Sequence, residues 1–147
     1  MSQMLDRTSL VNTALTWLDT PYQHQVGLKG VGVDCAYLIG KIAEECGLIG
    51  KFAVEPYSIE WHLHSREERM CNIVESFGAY QIPISQLKKG DILAFKYGRV
   101  CSHLGLMLPD NRFIHAHLKS KKVLVNSLSG EFLSRLERAY RFPNLED

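Results

Sequence analysis

Residues 32–47 read GVDCAYLIGKIAEECG and contain the clearest helix signal in the chain. Asp34 is a suitable N-cap and Gly47 a suitable C-terminal stop, and the segment between them carries apolar side chains at helical spacing. Those side chains belong to Leu38, Ile39, Ile42 and Ala43. The pattern predicts a helix from about Cys35 to Cys46 that packs one face on a core, with Cys35 as its first residue.

Two other helices are predicted in the first half of the chain. One begins near residues 6–9 and ends before Pro21, because proline cannot continue a helix. Its apolar stripe consists of Leu10, Val11, Ala14, Leu15 and Leu18. The other follows a capping-box pattern, Ser65-x-x-Glu68, and ends before Gly78. Its apolar positions are Met70, Ile73, Val74 and Phe77.

The pattern changes from Gly90 onward to short apolar segments separated by turn signals. We expect strands there at residues 91–96, 102–108, 112–117, 123–127 and about 135–142. Their short connections predict an antiparallel meander. Helices followed by strands indicate an α+β fold, in which N-terminal helices pack on an antiparallel sheet of about five strands.

The length and composition indicate one globular domain over residues 1–147. Hydrophobic residues make up 46% and charged residues 22%, and the net charge of +1 gives no reason to expect nucleic acid as a partner. No apolar run approaches the ~20 residues of a membrane span, so we expect no membrane partner. The N-terminus lacks a basic segment followed by an apolar stretch, so we expect no secretory signal and a cytoplasmic location as synthesised.

Cys35 is the first candidate for chemistry. At the start of a helix, its sulfur would lie near unpaired backbone N–H groups and the positive end of the helix dipole, and both favour the nucleophilic thiolate. The upstream glycines leave space for a substrate backbone, and they are Gly27, Gly30 and Gly32. The same position also fits a small buried side chain without chemistry, and position alone does not decide between the two.

Three histidines of the second half are candidate partners for such a thiol. His115 and His117 share one face of a predicted strand because side chains alternate along it. If the preceding turn is an odd-length loop, Leu108 opposes Arg112 and His103 joins the same face; if it is even, His103 points away. One imidazole would take the thiol proton and a second polar group would orient that ring. Spacing alone does not assign these roles.

Two groupings contain metal-ligating residue types. They are His62 and His64 with Cys71, and His115 and His117 with Cys101. His62 and His64 point apart on a helix, and neither grouping has the spacing of a structural zinc site. We therefore predict no metal and no cofactor. The four cysteines are widely spaced without a CxxC pair, and we expect them to be reduced.

Five short segments resemble the NlpC/P60 cysteine peptidases in order and spacing over about residues 10 to 128. They are TPY at 20–22, GVDC at 32–35, KGDIL at 89–93, SHLGL at 102–106 and RFIHA at 112–116. The resemblance implies a papain-like α+β fold with Cys35 as nucleophile, His103 as general base and acid, and His115 as the orienting residue. It also implies hydrolysis of a peptidoglycan stem peptide, between γ-linked D-glutamate and diaminopimelate or lysine.

The resemblance also suggests where substrate binds. The substrate-binding residues expected from it and from the neighbouring positions are Tyr22, Asp34, Ala36, Tyr37, Ser102 and His117. The family usually has Ser-Gly after the nucleophile, whereas this chain has Ala36 and Tyr37. We expect this change to narrow or reshape the pocket and so to alter specificity.

Two segments further resemble phage-encoded members that travel with tail genes. They are TPYQHQ at 20–25 and YSIEWH at 57–62. This predicts phage tail proteins as partners and delivery to the cell wall with the virion or at lysis, which accounts for the missing secretory signal. Two alternatives stay open: a cytosolic thiol amidase or acyltransferase on the same fold, and a non-catalytic tail-assembly or wall-binding protein.

Overall fold

The computed structural model describes residues 4–58 and 60–146. Its helices are α1 (Arg7–Leu15), α2 (Cys35–Glu45), α3 (Trp61–His64), α4 (Arg69–Ser76) and α5 (Gly130–Arg135). Its strands are β1 (Gly27–Leu28), β2 (Gly32–Val33), β3 (Tyr80–Ile82), β4 (Ile92–Tyr97), β5 (Val100–Leu108), β6 (Arg112–His117), β7 (Lys122–Ser127) and β8 (Leu136–Arg141). In the described part of the chain, no helix is long and apolar enough to cross a membrane.

The main sheet has six antiparallel strands in the order β3-β8-β4-β5-β6-β7. The predicted meander is correct from β4 to β7 and wrong for the last strand, because β8 pairs with β4 instead of β7. The buried carboxylate of Asp91 explains this placement. It forms two hydrogen bonds of 2.9 Å with Arg141 on β8 and accepts one of 3.0 Å from Arg7 on α1. The edge strand β3 was not predicted.

The core lies on both faces of this sheet. On one face, α2 buries Leu38, Ile39 and Ile42 completely, against alternate side chains of β5 and β6 such as Leu104 and Ile114. Burial of each such side chain contributes about 1.5–3 kcal/mol relative to its exposure. On the other face, a smaller cluster consists of Leu93, Phe95, Phe113 and Leu128. The central strands are therefore covered from both sides, and the helix that starts with Cys35 is held rigidly.

Helix α1 is shorter than its apolar stripe predicted. Leu10 and Ala14 are fully buried, but Leu15 is 37% and Leu18 40% exposed. The helix ends at Leu15, so the helical period no longer applies, and Trp17 is buried in the core instead. The indole of Trp17 donates a 2.9 Å hydrogen bond to the Glu45 carboxylate of α2.

The predicted capping box before α4 is not formed. Ser65 accepts a hydrogen bond from the backbone N–H of Glu67 outside the helix, and α4 begins only at Arg69. The carboxylate of Glu68 points toward β5 and accepts a 3.2 Å hydrogen bond from the backbone N–H of Cys101. A tertiary contact has therefore replaced the local one.

Candidate active site

The hairpin between β5 and β6 has the odd-length loop on which the histidine prediction depended. Leu108 pairs with Arg112, and the loop residues Asp110 and Asn111 adopt positive φ angles of 64° and 57°. Of the two loop parities left open by the sequence, the structure thus has the one that places His103 on the face of His115 and His117. The rings of His103, His115 and His117 lie together. The ring centroid of His115 is 4.9 Å from that of His103 and 5.0 Å from that of His117, and the centroids of His103 and His117 are 6.1 Å apart.

A chain of short hydrogen bonds connects two of these rings to a third side chain. Nε2 of His103 lies 2.6 Å from Nδ1 of His115, and Nε2 of His115 lies 2.7 Å from Oδ1 of Asn126. The amide oxygen only accepts, so His115 carries its proton on Nε2 and accepts at Nδ1. His103 must then donate from Nε2, which leaves its Nδ1 lone pair available. The sequence did not single out Asn126.

Aromatic side chains surround the hydrogen-bonded histidines. The ring centroid of His115 lies 4.5 Å from that of Phe113 and 5.3 Å from that of Phe132 in α5. The ring centroids of His103 and Phe95 are 5.8 Å apart. Burial lowers the pKa of His103 well below its ordinary value and lowers that of His115 to about 4, although the Asn126 hydrogen bond opposes the latter shift. Both imidazoles are neutral at pH 7.

The thiol of Cys35 lies at the first residue of α2, with Asp34 as the N-cap, as predicted. Backbone N–H groups of Cys35, Ala36 and Leu104 favour its thiolate, but burial and the Asp34 carboxylate outweigh them and raise the pKa of Cys35 to about 12. The backbone N–H groups at the helix start thus favour the thiolate as expected, but they do not offset the effect of burial in the resting protein. The thiol is 5% exposed and needs a base.

One cavity of about 410 Å³ contains both Cys35 and His103 in its lining. Three of the residues predicted to bind substrate, Tyr22, Ser102 and His117, line it too. Further lining side chains that were not among the predicted site residues are His24, Tyr57, Trp61, His62, Met70, Tyr97, Leu118 and Lys119. Most are aromatic or cationic, and no Asp or Glu lines the cavity among the described residues. The cavity therefore presents a largely aromatic surface to any substrate, with Lys119 as a cationic side chain at it.

Asp34 is buried, and protein donors occupy both of its oxygens. Oδ1 accepts from the backbone N–H of Tyr37 at 2.9 Å, and Oδ2 accepts from the backbone N–H of Gln25 at 2.7 Å and from the Tyr57 hydroxyl at 2.8 Å. This geometry makes Asp34 an organiser of the site, since its hydrogen bonds hold the segments of Gln25 and Tyr57 against the start of α2.

The structure also corrects the predicted pocket contacts of Ala36 and Tyr37. Ala36 is completely buried in the core. The Tyr37 ring packs 5.7 Å from Phe52 and against Gly27, where an added Cβ would lie 2.8 Å from the tyrosine ring. Neither side chain lines the cavity, because the helix directs both of them away from it.

Tyr57 joins two segments over the cavity. Its hydroxyl donates to Asp34, and its backbone carbonyl lies 2.7 Å from Nε2 of His24, whose ring packs edge-on against the tyrosine. Burial, followed by the charges of Cys35 and Asp34, raises the pKa of Tyr57, so its hydroxyl is protonated and donates to Asp34 in the cavity that Cys35 also lines. The only sequence signal for Tyr57 was its place in the segment 57–62.

The two groupings of metal-ligating residue types that the sequence contains are not assembled among the described side chains; the His64 side chain lies outside them. Metal-ligating types converge instead at Glu68, Cys71 and Cys101.

Comparison with known proteins places this geometry among relatives. The sequence profile of the NlpC/P60 family matches residues 19–141. Dipeptidyl-peptidase 6 from Lysinibacillus sphaericus is 32% identical over 122 residues, which cover 83% of this chain and 36% of that protein. The chain thus spans about a third of the length of this curated relative.

Two solved structures from Mycobacterium tuberculosis share the fold. The peptidoglycan hydrolase RipB is 16% identical with a TM-score of 0.63, over 92% of this chain and 63% of RipB. RipD, described as a non-catalytic NlpC/P60 domain protein adapted to peptidoglycan binding, is 13% identical with a TM-score of 0.59, over 92% of this chain and 95% of RipD. These similarities confirm the predicted α+β NlpC/P60 fold.

Proposed function

This chain belongs to the NlpC/P60 family, and from that premise we propose that it is a cysteine peptidase in which Cys35 is the nucleophile and His103 its base. The polarised chain from Asn126 through His115 to His103 is the observation that carries the proposal. It leaves a neutral imidazole with an available Nδ1 lone pair in the cavity that Cys35 also lines.

The proposed reaction begins from a neutral thiol and a neutral imidazole. Nδ1 of His103 takes the proton of Cys35 as the sulfur attacks the amide carbon, and the imidazolium then protonates the departing amine. Water, deprotonated by the same imidazole, hydrolyses the thioester and restores the thiol. His115 holds the ring of His103 in one orientation and one tautomer, and Asn126 does the same for His115.

The oxyanion formed at each attack requires hydrogen-bond donors near the sulfur. The backbone N–H of Cys35 is one candidate, since it lies close enough to the thiol to lower its pKa. The hydroxyl of Tyr22 is the other. Burial and the charges of Cys35 and Asp34 raise its pKa, so this hydroxyl is protonated, and Tyr22 lines the same cavity as the nucleophile.

The proposed substrate is a peptidoglycan stem peptide, cleaved between γ-linked D-glutamate and diaminopimelate or lysine. The peptidoglycan hydrolase RipB, which shares the fold, supports this substrate class. The cavity supports it as well, because the ammonium group of Lys119 lines it and, among the described residues, no Asp or Glu does. Such a lining suits a substrate that carries carboxylates.

We further propose that the protein reaches the cell wall with a phage tail or at lysis. The two segments that resemble phage-encoded members, 20–25 and 57–62, supply five side chains of the cavity. These are Tyr22, His24, Tyr57, Trp61 and His62. The resemblance therefore concerns the walls of the proposed site, where a common substrate would be recognised.

The test is incubation of the reduced protein with purified stem peptides, containing either diaminopimelate or lysine at the third position, followed by mass analysis. We expect one new pair of products from at least one peptide, and none with Cys35→Ala. If neither peptide is cleaved by the unsubstituted protein, the peptidase proposal is wrong.

A second candidate is a wall-binding protein without catalysis, and the fold of RipD favours considering it. The same Cys35→Ala variant separates the two functions. A wall binder sediments with purified peptidoglycan equally with or without the thiol, and neither form releases peptide products. A peptidase binds in both forms but releases products only when Cys35 is present.

A further inference from the structure

Three metal-ligating side chains converge behind the cavity. Glu68 immediately precedes α4, Cys71 lies in its first turn, and Cys101 lies near the start of β5. One potential ligand atom from each lies within 4.8 Å of the other two. Cys71 is completely buried and Cys101 is 1% exposed. The sequence does not reveal this cluster, because two strands, β3 and β4, lie between α4 and β5 in the chain.

The spacing of the ligand atoms resembles that of a tetrahedral site. Oε2 of Glu68 lies 3.5 Å from Sγ of Cys71. A zinc ion at about 2.3 Å from sulfur and about 2.0–2.2 Å from oxygen sets neighbouring sulfur and oxygen ligands about 3.5 Å apart. Glu68 and Cys71 are three residues apart, which places their side chains on the same side of the helical turn.

The surrounding charge also suits a bound cation. A divalent ion with two thiolates and one carboxylate carries a net charge of −1, which is costly to bury without a counter-charge. Arg138 of β8 supplies one, since its guanidinium interacts electrostatically with both Cys71 and Glu68. It also donates a 3.4 Å hydrogen bond to the hydroxyl of Tyr140, which borders Cys71.

We propose that Glu68, Cys71 and Cys101 bind a zinc-class divalent cation. Two thiolates exclude Ca²⁺ and Mg²⁺, which take oxygen ligands, and the carboxylate favours zinc over the softer Cu(I). The fourth position is left to water or to the Tyr140 hydroxyl. The proposal does not depend on the catalytic roles of Cys35 and His103.

The bound cation would stabilise the walls of the cavity. Cys71 follows Met70, whose sulfur lies 4.0 Å from that of Cys35, and Cys101 precedes His103 by two residues. The metal would tie α4 to β5 at the point where both approach the nucleophile. Its role is therefore structural, and its removal lowers the unfolding temperature before it affects chemistry.

The experiment is titration of the reduced, chelator-treated full chain with Co²⁺ and then with Zn²⁺. We expect one Co²⁺ per chain with the intense near-ultraviolet absorption of thiolate–cobalt bonds, displacement by Zn²⁺, and a higher unfolding temperature with either ion. Cys71→Ser and Cys101→Ser should lose this absorption. Glu68→Gln, which keeps both thiols and the shape of the side chain, should weaken binding by more than roughly tenfold.

Two matched variants identify the site. Cys46→Ser removes a half-buried thiol outside the cluster, and Cys35→Ser removes the thiol of the cavity; both should bind Co²⁺ as the unsubstituted protein does. Loss of binding in Cys35→Ser would assign the ion to the cavity and overturn the proposal. Absence of cobalt binding while all four thiols titrate as free would overturn it, as would a Cys71–Cys101 disulfide in the purified protein.

Discussion

Nε2 of His103 and Nδ1 of His115 lie 2.6 Å apart, and this contact determines which nitrogen of His103 is free to accept a proton. A pair of neutral imidazoles shares only one proton along that line. Because Asn126 fixes the proton of His115 on Nε2, the proton of the shared bond belongs to His103. Asn126 therefore sets the orientation of the base, His103, through the intervening ring of His115.

Replacement of Asn126 by leucine should therefore impair catalysis without touching the cavity. The His115 N–H loses its acceptor, which costs about 1–3 kcal/mol of stability for a buried group, and the ring can adopt the other tautomer. We expect a fall in kcat of roughly 10–100-fold with a smaller change in KM. Asn126→Asp, which keeps an acceptor at the same place, should retain most of the activity; equal losses in both variants would contradict this role.

The Cys35 thiol should react slowly with alkylating agents at neutral pH. Burial and Asp34 raise its pKa to about 12, so the thiolate fraction increases tenfold with each pH unit over the accessible range. We expect the rate of iodoacetamide modification of the Cys35 peptide, followed by mass spectrometry, to rise steadily from pH 6 to 10. A plateau reached below pH 7 would instead indicate a resting thiolate–imidazolium pair.

The elements with a local signal could be predicted from sequence. Helix α2 and strand β6 have the expected boundaries within one residue, because the cap residues and the alternation of apolar side chains are properties of adjacent positions. The position of β8 depends on the pairing of Asp91 with Arg141, and these residues are far apart in the chain. No local pattern contains that pairing, so the simplest meander was the wrong topology.

The site residues, too, could be predicted where a local sequence motif contains them and not where they depend on contacts between distant residues. The motif segments were enough to identify Cys35, His103 and His115 as candidates. The face on which His103 lies depended on the length of the β5–β6 loop, which the strand register of the structure shows. Asn126 and Tyr57 were missed because each acts through another side chain, in a strand and a loop without a distinctive pattern. Tyr37 was misplaced because its position in the motif says nothing about the direction of its ring.

Tyr57→Phe should weaken substrate binding more than chemistry. The variant loses the hydrogen bond to Asp34 that holds the segment before α3 over the cavity, at a cost of about 0.5–1.5 kcal/mol. We expect KM to rise severalfold while kcat changes little, as measured with the stem peptide that is cleaved. Tyr37→Phe is the matched control, since its ring lies outside the cavity and should leave both constants unchanged.

Acid should destabilise the fold through His115. Its pKa is about 4 in the folded protein and near 6.5 when unfolded, so the unfolded chain binds the extra proton between these values. Stability is therefore full above about pH 6.5 and falls as the pH drops toward 4, by up to about 1.4 kcal/mol per pH unit for this group. Urea unfolding at pH 7, 6, 5 and 4 measures the slope.

His115→Gln isolates the contribution of that histidine, because glutamine keeps hydrogen-bonding groups but does not titrate. The difference in unfolding free energy between the two proteins should shrink as the pH falls from 6.5 to 4. A difference that stays constant over this range would show that His115 has an ordinary pKa in the folded state.

Asp91→Asn should cause the largest loss of stability among exchanges of similar size. The substitution leaves the buried guanidinium of Arg7 and the partly buried one of Arg141 without their shared carboxylate, and breaking a buried ion pair costs about 3–5 kcal/mol. Because Asp91 also fixes β8 beside β4, the variant should unfold at a much lower urea concentration. Glu131→Gln is the control: its pair with Arg135 is exposed and should be worth less than about 0.5 kcal/mol. If the two variants lost similar stability, the Asp91 carboxylate would not be what holds the last strand in its place.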